Sequence, residues 1–212
     1  MRLLLLRHAR TAWNADGRMQ GTSDVDLDDA GRAQAALAGS AIADLAGASP
    51  VTVISSDLRR ARVTAAAVAL AVGVGVEFDA VVEVDLDPRL RERDFGPWEG
   101  LTLPEIEAGW PEPFAAWRRG EEPGLGVETR AAVADRMAAA CAHAVQEAPA
   151  DGLLVLVSHG GSLATLAGAL LAADAGSWFG IRAVGNGHWS LLESNPRMPP
   201  DWRLVAHDAG PI

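Results

Sequence analysis

The sequence predicts a three-layer α/β fold, with helices on both faces of a mostly parallel central sheet. Two observations predict it. Short runs of apolar and β-branched residues at Leu3–Leu6, Val51–Ser55 and Leu153–Val157 have the length and continuity of strands buried on both faces. Long Ala-rich stretches of helical pattern lie between these runs, and strands alternating with helices build parallel sheets.

The elements follow in order. Leu3–Leu6 is the first strand, and a polar, Gly-containing loop runs from Ala9 to Asp26. Asp28 or Asp29 caps a helix to about Leu45, Val51–Ser55 forms the second strand, and Asp57 to about Ala71 the second helix. Val76–Val84 contains a further strand. From Asp87 to Val127, Pro, Gly and Trp loosen the pattern, leaving short helices near Leu103–Ala108 and Phe114–Arg118. An irregular stretch of this length commonly serves as a lid or pocket wall. Helix returns over Glu128–Gln146, then strand Leu153–Val157 and helix Ser162–Ala172. Trp189–Leu192 and Trp202–Val205 are further strands, joined through turn residues Asn195–Pro200. The 212 residues read as a single domain, 1–212, large enough to bury a core without staples.

Composition narrows the function. The formal charge of −10 disfavours nucleic acid and anionic membrane surfaces as partners, so an anionic ligand must be met by a local cluster of arginines. Lysine and tyrosine are absent, a bias of composition rather than of function. The one cysteine, Cys141, allows no intrachain disulfide and no cysteine metal site, and reads as a core residue. The apolar start, Met1–Leu6, is too short for a signal segment or a membrane span. A cytoplasmic protein is expected, with a homodimer as the candidate assembly.

In open parallel sheets, ligands bind beyond the carboxyl ends of the strands. Arg7 and His8 close the first strand, Arg59 and Arg60 open the helix after the second, and His159 closes the strand from Leu153. Guanidinium forks suit phosphate oxygens, and the helix start after His159 and Gly160 offers backbone N–H groups. A neutral imidazole can attack phosphorus when its other nitrogen is held by an acceptor. Asn14 could add a hydrogen bond. Glu92, in Leu90-Arg91-Glu92-Arg93-Asp94-Phe95-Gly96, is the candidate acid for the leaving oxygen.

These residues carry a family resemblance. Leu-Leu-Arg7-His8-Ala9-Arg10-Thr11-Ala12-Trp13-Asn14 resembles the signature of the histidine phosphatase, or phosphoglycerate mutase-like, superfamily. The match continues through Arg18-Met19-Gln20-Gly21, Ser55-Ser56-Asp57-Leu58-Arg59-Arg60-Ala61, Phe95-Gly96-Pro97-Trp98-Glu99-Gly100 and Ser158-His159-Gly160-Gly161. The resemblance implies the phosphoglycerate mutase-like fold, with His8 as the phosphorylated nucleophile and Glu92 as the proton donor. It implies that Arg7, Arg60, His159 and Asn14 form the phosphate pocket, with Arg59 a solvated neighbour. Gln20 is a candidate substrate contact and Gly160 a backbone donor. No cofactor and no metal are expected.

One departure is visible: Ala9 stands where the family usually has glycine after the nucleophile. Alanine carries a penalty there if the position needs φ > 0 or a very close phosphate approach. Finer details resemble the actinobacterial glucosyl-3-phosphoglycerate phosphatases, notably Gly185-Asn186 with Trp189. The middle segment Gly126-Val127-Glu128-Thr129 parallels a Gly-Gly-Glu-Ser stretch, so Glu128 reaches the pocket or merely favours its helix N-terminus.

Weighed against bland roles, His143 and His207 read as structural and His188 leans that way. Trp110, Trp117 and Trp178 read as packing residues more than as a pocket mouth. The expected activity is hydrolysis of a small phosphorylated metabolite through phosphohistidine, on glucosyl-3-phosphoglycerate or a broad set of esters. The alternatives are a cofactor-dependent mutase, expected to need a longer lid and an ordered tail, and a non-catalytic module that binds phosphorylated ligands. A metallophosphatase is disfavoured because the histidines lack ligand spacings.

Overall fold

The structure is a computed structural model that describes residues 1–74, 84–171 and 180–211. The strand expected within Val76–Val84 falls almost wholly outside the described residues, as does Trp178. Among the described residues, six strands form one mixed sheet: β1 (Arg2–Arg7), β2 (Val51–Ser55), β3 (Asp85–Leu86), β4 (Leu153–Ser158), β5 (Trp189–Ser194) and β6 (Trp202–Ala209). Their order across the sheet is β3-β2-β4-β1-β5-β6. The first four positions run parallel; β5 and β6 are antiparallel additions at one side.

Alternation along β1 explains the layers. Leu4 and Leu6 enter one core with Val53, Val155 and Val157. That core is covered by the Ala-rich helices α2 (Asp29–Ala46) and α3 (Arg59–Val72), through Ile42 and Val68. Leu3 and Leu5 face the opposite core, beneath α6 (Arg130–Glu147) and α7 (Gly160–Leu170), with Met137, Leu163 and Leu166. Successive strand residues point to opposite faces, so four consecutive leucines fill two cores.

Helix starts follow their caps. Asp28 caps α2 through Gly31 N, and Thr129 caps α6 through Ala132 N. A short helix unanticipated from the sequence, α1 (Ala12–Ala15), is closed by a Thr11–Asn14 capping box. The helices expected from Asp57 and from Ser162 begin at Arg59 (α3) and Gly160 (α7) instead.

The irregular segment builds a small core of its own. Two 3₁₀ turns (Pro88–Leu90 and Gly96–Trp98) precede helices α4 (Leu103–Gly109) and α5 (Pro111–Arg118). Trp98, Ile106 and Phe114 are buried together, with Trp110 and Trp117 packed against them. Trp98 meets Phe114 and Trp117 edge-on, a favourable aromatic geometry. No helix among the described residues is long and apolar enough to cross a membrane.

Candidate active site

Register brings the site together. Arg7 pairs with Ser158 across β1 and β4, and the next residue, His8, donates its N–H to Ser158 O at 2.9 Å. Ser56, just past β2, donates likewise to Val157 O. Three parallel strands therefore end level, placing His8, His159 and Ser56 side by side.

Both histidines are almost sealed from solvent, at 3% and 0% exposure. His8 Nδ1 lies 2.8 Å from the carbonyl of Ala9. A carbonyl only accepts, so Nδ1 carries the proton and Nε2 keeps its lone pair. His159 has the opposite tautomer. Arg60 Nε donates to its Nδ1 at 3.2 Å, leaving Nε2–H to donate to Ser56 Oγ at 2.9 Å. Burial foremost, then the Arg60 and Arg7 charges, push the His8 pKa well below its ordinary value, and the Ala9 bond only partly opposes them. His159 moves the same way through burial, Arg60, His8 and Arg7. Each imidazole is held neutral.

Arg60, in the first turn of α3, is fully buried. Its terminal nitrogens donate to the carbonyls of Ser23 and Gly21, both at 2.6 Å. Burial brings its pKa down to about 10, still far above neutrality. The loop supplying those carbonyls is tied by Glu99, which accepts from the N–H groups of Thr22 and Ser23 at 2.8 and 2.9 Å. Gly21 adopts φ +53° directly against Glu99, and a Cβ there would lie 1.9 Å from its Oε1. Gln20 is buried beside this loop, with Oε1 lacking a partner among the described residues. Arg59 is exposed and paired with Asp26, the solvated neighbour expected.

Arg7 donates to Val184 O at 2.8 Å, while its buried Nε has no partner among the described residues. Burial lowers its pKa, opposed by the Glu92 and Asp208 charges. The turn after Val184 is a scaffold that sequence reasoning missed. Asn186 donates to His8 O at 3.0 Å and to Asn14 Oδ1 at 3.1 Å. Asp208, held at φ +54°, accepts from Gly185 N, Arg182 and His188. Those bonds drop its pKa to about 2. His188 is thereby a structural residue. The signal for Asn186 was its place in the Gly185-Asn186 stretch; nothing in the sequence pointed to Asp208.

Two expectations need correction. Of the N–H groups opening α7, those of Gly161 and Ser162 are not free for a ligand: they donate to Glu92 at 3.0 and 2.9 Å. A carboxylate at a helix N-terminus satisfies orphan donors and the dipole together. Ser162 Oγ and Arg93 N add further donors to Glu92 Oε1, so Oε2, with one donor, has the spare capacity for a proton. Glu128 does not reach the pocket by any such bond. It pairs with Arg136, which also donates to the carbonyls of Arg89, Arg91 and Glu92. Asn14 uses its Oδ1 on Thr11 and Asn186, which leaves only its amide N–H groups for a ligand.

Ala9 is answered directly. It does not take a positive φ, and its methyl is fully buried with Leu27 and Ala35. Its N–H donates to Thr64 Oγ1 at 3.0 Å. Gly160 abuts Arg7, where a Cβ would lie 3.3 Å from the guanidinium. His143 is exposed and His207 bonds Ser190, both outside this cluster. Among the described residues, no group of three or more His, Cys, Asp or Glu side chains is gathered as a metal site would require.

A ring of two neutral histidines, one buried and one half-buried arginine and one carboxyl is suited to a phosphoryl group. The family model of the histidine phosphatase superfamily (branch 1) matches residues 3–207. The chain belongs to the histidine phosphatase superfamily. This histidine phosphatase is 38% identical over 223 residues to the glucosyl-3-phosphoglycerate phosphatase of Mycolicibacterium vanbaalenii, covering 98% of this chain and 94% of that protein. It is also 38% identical over 159 residues to an acid phosphatase of Mycobacterium tuberculosis, covering 75% of this chain and 70% of that one. The solved structure of a mycobacterial glucosyl-3-phosphoglycerate phosphatase in complex with VO3 superposes with a TM-score of 0.85 at 34% identity, covering 99% of both chains. The phosphoglycerate mutase-like α/β fold expected from the sequence is the fold found. The protein is a phosphatase.

Proposed function

We propose that this phosphatase hydrolyses phosphate monoesters through a phosphohistidine on His8 Nε2, with glucosyl-3-phosphoglycerate the first candidate for its natural substrate. The observation that carries the reading is the His8 tautomer. The Ala9 carbonyl takes the Nδ1 proton, so the lone pair on Nε2 belongs to a neutral ring among fixed cations.

In the first step Nε2 attacks phosphorus while the ester P–O bond breaks, and Glu92 gives its proton to the departing oxygen. Arg7, Arg60 and His159 balance charge on the equatorial oxygens. In the second step water attacks the phosphohistidine, Glu92 takes back a proton, and the P–N bond breaks to release phosphate. Asn14, Gln20 and Gly160 complete the pocket as donors or close-approach positions. The candidate substrate is supported by likeness to relatives of that name over nearly the whole chain. A cytoplasmic setting, expected from the sequence, belongs to the same reading.

The test is a screen of glucosyl-3-phosphoglycerate, phosphoserine, α-ribazole phosphate and sugar phosphates, with rapid quenching under turnover. An acid-labile, base-stable phosphoenzyme absent from His8→Ala supports the mechanism. Turnover persisting in His8→Ala would overturn it.

A further inference from the structure

Glu99 sits one loop away from the phosphate cluster, at the close of the 3₁₀ turn Gly96–Trp98. Its Oε1 accepts from Thr22 N at 2.8 Å, and from Thr22 Oγ1 and Phe95 N at 3.2 Å each. Its Oε2 accepts from Ser23 N at 2.9 Å and from Ser23 Oγ at 2.6 Å. All of these donors are neutral, so the carboxylate is spent on shaping main chain, through charge-assisted bonds, rather than on pairing a cation. The loop is pressed against it: Gly21 takes φ +53°, and the side chain it lacks leaves room for Oε1.

The carbonyls of that loop aim Arg60. Gly21 O and Ser23 O, on either side of Thr22, receive its two terminal nitrogens at 2.6 Å each. A guanidinium is planar, so fixing both terminal nitrogens also fixes its Nε–H, which donates to His159 Nδ1 at 3.2 Å. Carboxylate, loop, guanidinium and imidazole form a series in which each member is oriented by the one before. Glu99 also stands, after Glu92 and Asp24, among the carboxylates whose charge opposes the cost of burying Arg60. Two further bonds lace the loop to the segment after Glu99: Met19 N donates to Leu101 O and Gly100 N to Met19 O, both at 2.8 Å. They anchor the loop where it begins, and Glu99 anchors its middle.

We propose that Glu99 is a positioning residue for phosphoryl transfer: through the carbonyls of Gly21 and Ser23 it sets the aim of Arg60 at the phosphoryl oxygens and, through Arg60, the tautomer of His159. Its consequence for turnover rests on the phosphatase reading. Its consequence for His159 rests on the hydrogen bonds alone.

Glu99→Gln tests this, because it keeps the shape but turns one acceptor oxygen into an NH2 group facing N–H and O–H donors. kcat/KM should fall roughly 10²-fold, the scale expected when a reacting geometry is displaced by about an ångström. The loss should be equal on p-nitrophenyl phosphate and on an alkyl phosphate, since Arg60 acts on the phosphoryl oxygens and not on the leaving group. Long-range nitrogen NMR of the phosphate-free protein gives a readout that needs no turnover. His159 should depart from the pure Nε2–H form as Arg60 Nε withdraws from Nδ1, while His8, held by the Ala9 carbonyl, stays Nδ1–H. Gly21→Ala, which drives a Cβ into Oε1, should do the same from the loop side and takes the place of Glu99→Gln should that variant not fold. An unmoved His159, or wild-type kcat/KM, overturns the proposal. So does a His8 that shifts alongside His159, which would report a general loosening. If the wild type turns over no ester, the phosphatase reading is what fails, and the two tautomers alone judge Glu99.

Discussion

The rings of His8 and His159 lie 5.1 Å apart, centroid to centroid, and are tilted by 57°. Neither can gain a proton without placing a charge beside Arg60 and Arg7, and both are sealed from water. Folding therefore favours two neutral imidazoles. The unfolded chain begins to bind protons at both as the pH falls through about 6.5, the ordinary histidine value, while the folded chain does not. Stability should be at its full value above that pH and decline below it, by up to about 1.4 kcal/mol per pH unit for each histidine. Urea melts between pH 7 and 5 check this, and a flat profile contradicts it. Long-range nitrogen NMR should show His8 as the Nδ1–H tautomer and His159 as the Nε2–H tautomer.

Glu92→Gln separates the acid from the rest. It should slow hydrolysis of alkyl phosphates by a factor of roughly 10² to 10⁴, the usual range for a lost general acid. Hydrolysis of p-nitrophenyl phosphate, whose leaving group needs no proton, should fall much less. Equal losses on both substrates would assign Glu92 a structural role at the start of α7 instead.

Arg136→Ala removes the group that gathers three carbonyls and Glu128. Losing one member of a largely buried, charge-assisted network should cost about 3 kcal/mol. Turnover should fall too, because the segment carrying Glu92 is released. A melting curve superimposable on wild type would show that the network is dispensable.

Ala9→Gly restores the usual family residue and should not raise activity. The position does not take a positive φ, and the methyl is buried with Leu27 and Ala35. A stability loss of about 1 kcal/mol is expected from backbone entropy and the lost methyl. A gain in kcat/KM would mean that the methyl obstructs phosphate.

Much of this was legible in the chain. His8, Arg60 and His159 were located by their distance from apolar runs, since a strand end fixes where the next side chain emerges. Glu92 required the family resemblance, because the segment around it has no periodicity. Its docking onto Gly161 and Ser162 depends on contacts some seventy residues apart. That is why the sequence suggested free N–H groups where the fold has a carboxylate. Glu128 was ambiguous for a similar reason: its partner Arg136 lies two helical turns away, and only packing decides whether the pair closes. Asp208 gave no sign at all, as an acid near the end of a strand is ordinary until its turn is seen.

His8 follows directly on β1, yet its carbonyl is held by Asn186, and the turn that carries Asn186 is pinned by Asp208. A nascent chain could complete β1, β2 and both helices between them and still possess no finished phosphate pocket. Phosphate release is thus a late milestone of assembly: during refolding it should trail the burial of Trp98, and it would register intact tertiary structure more stringently than helix content does.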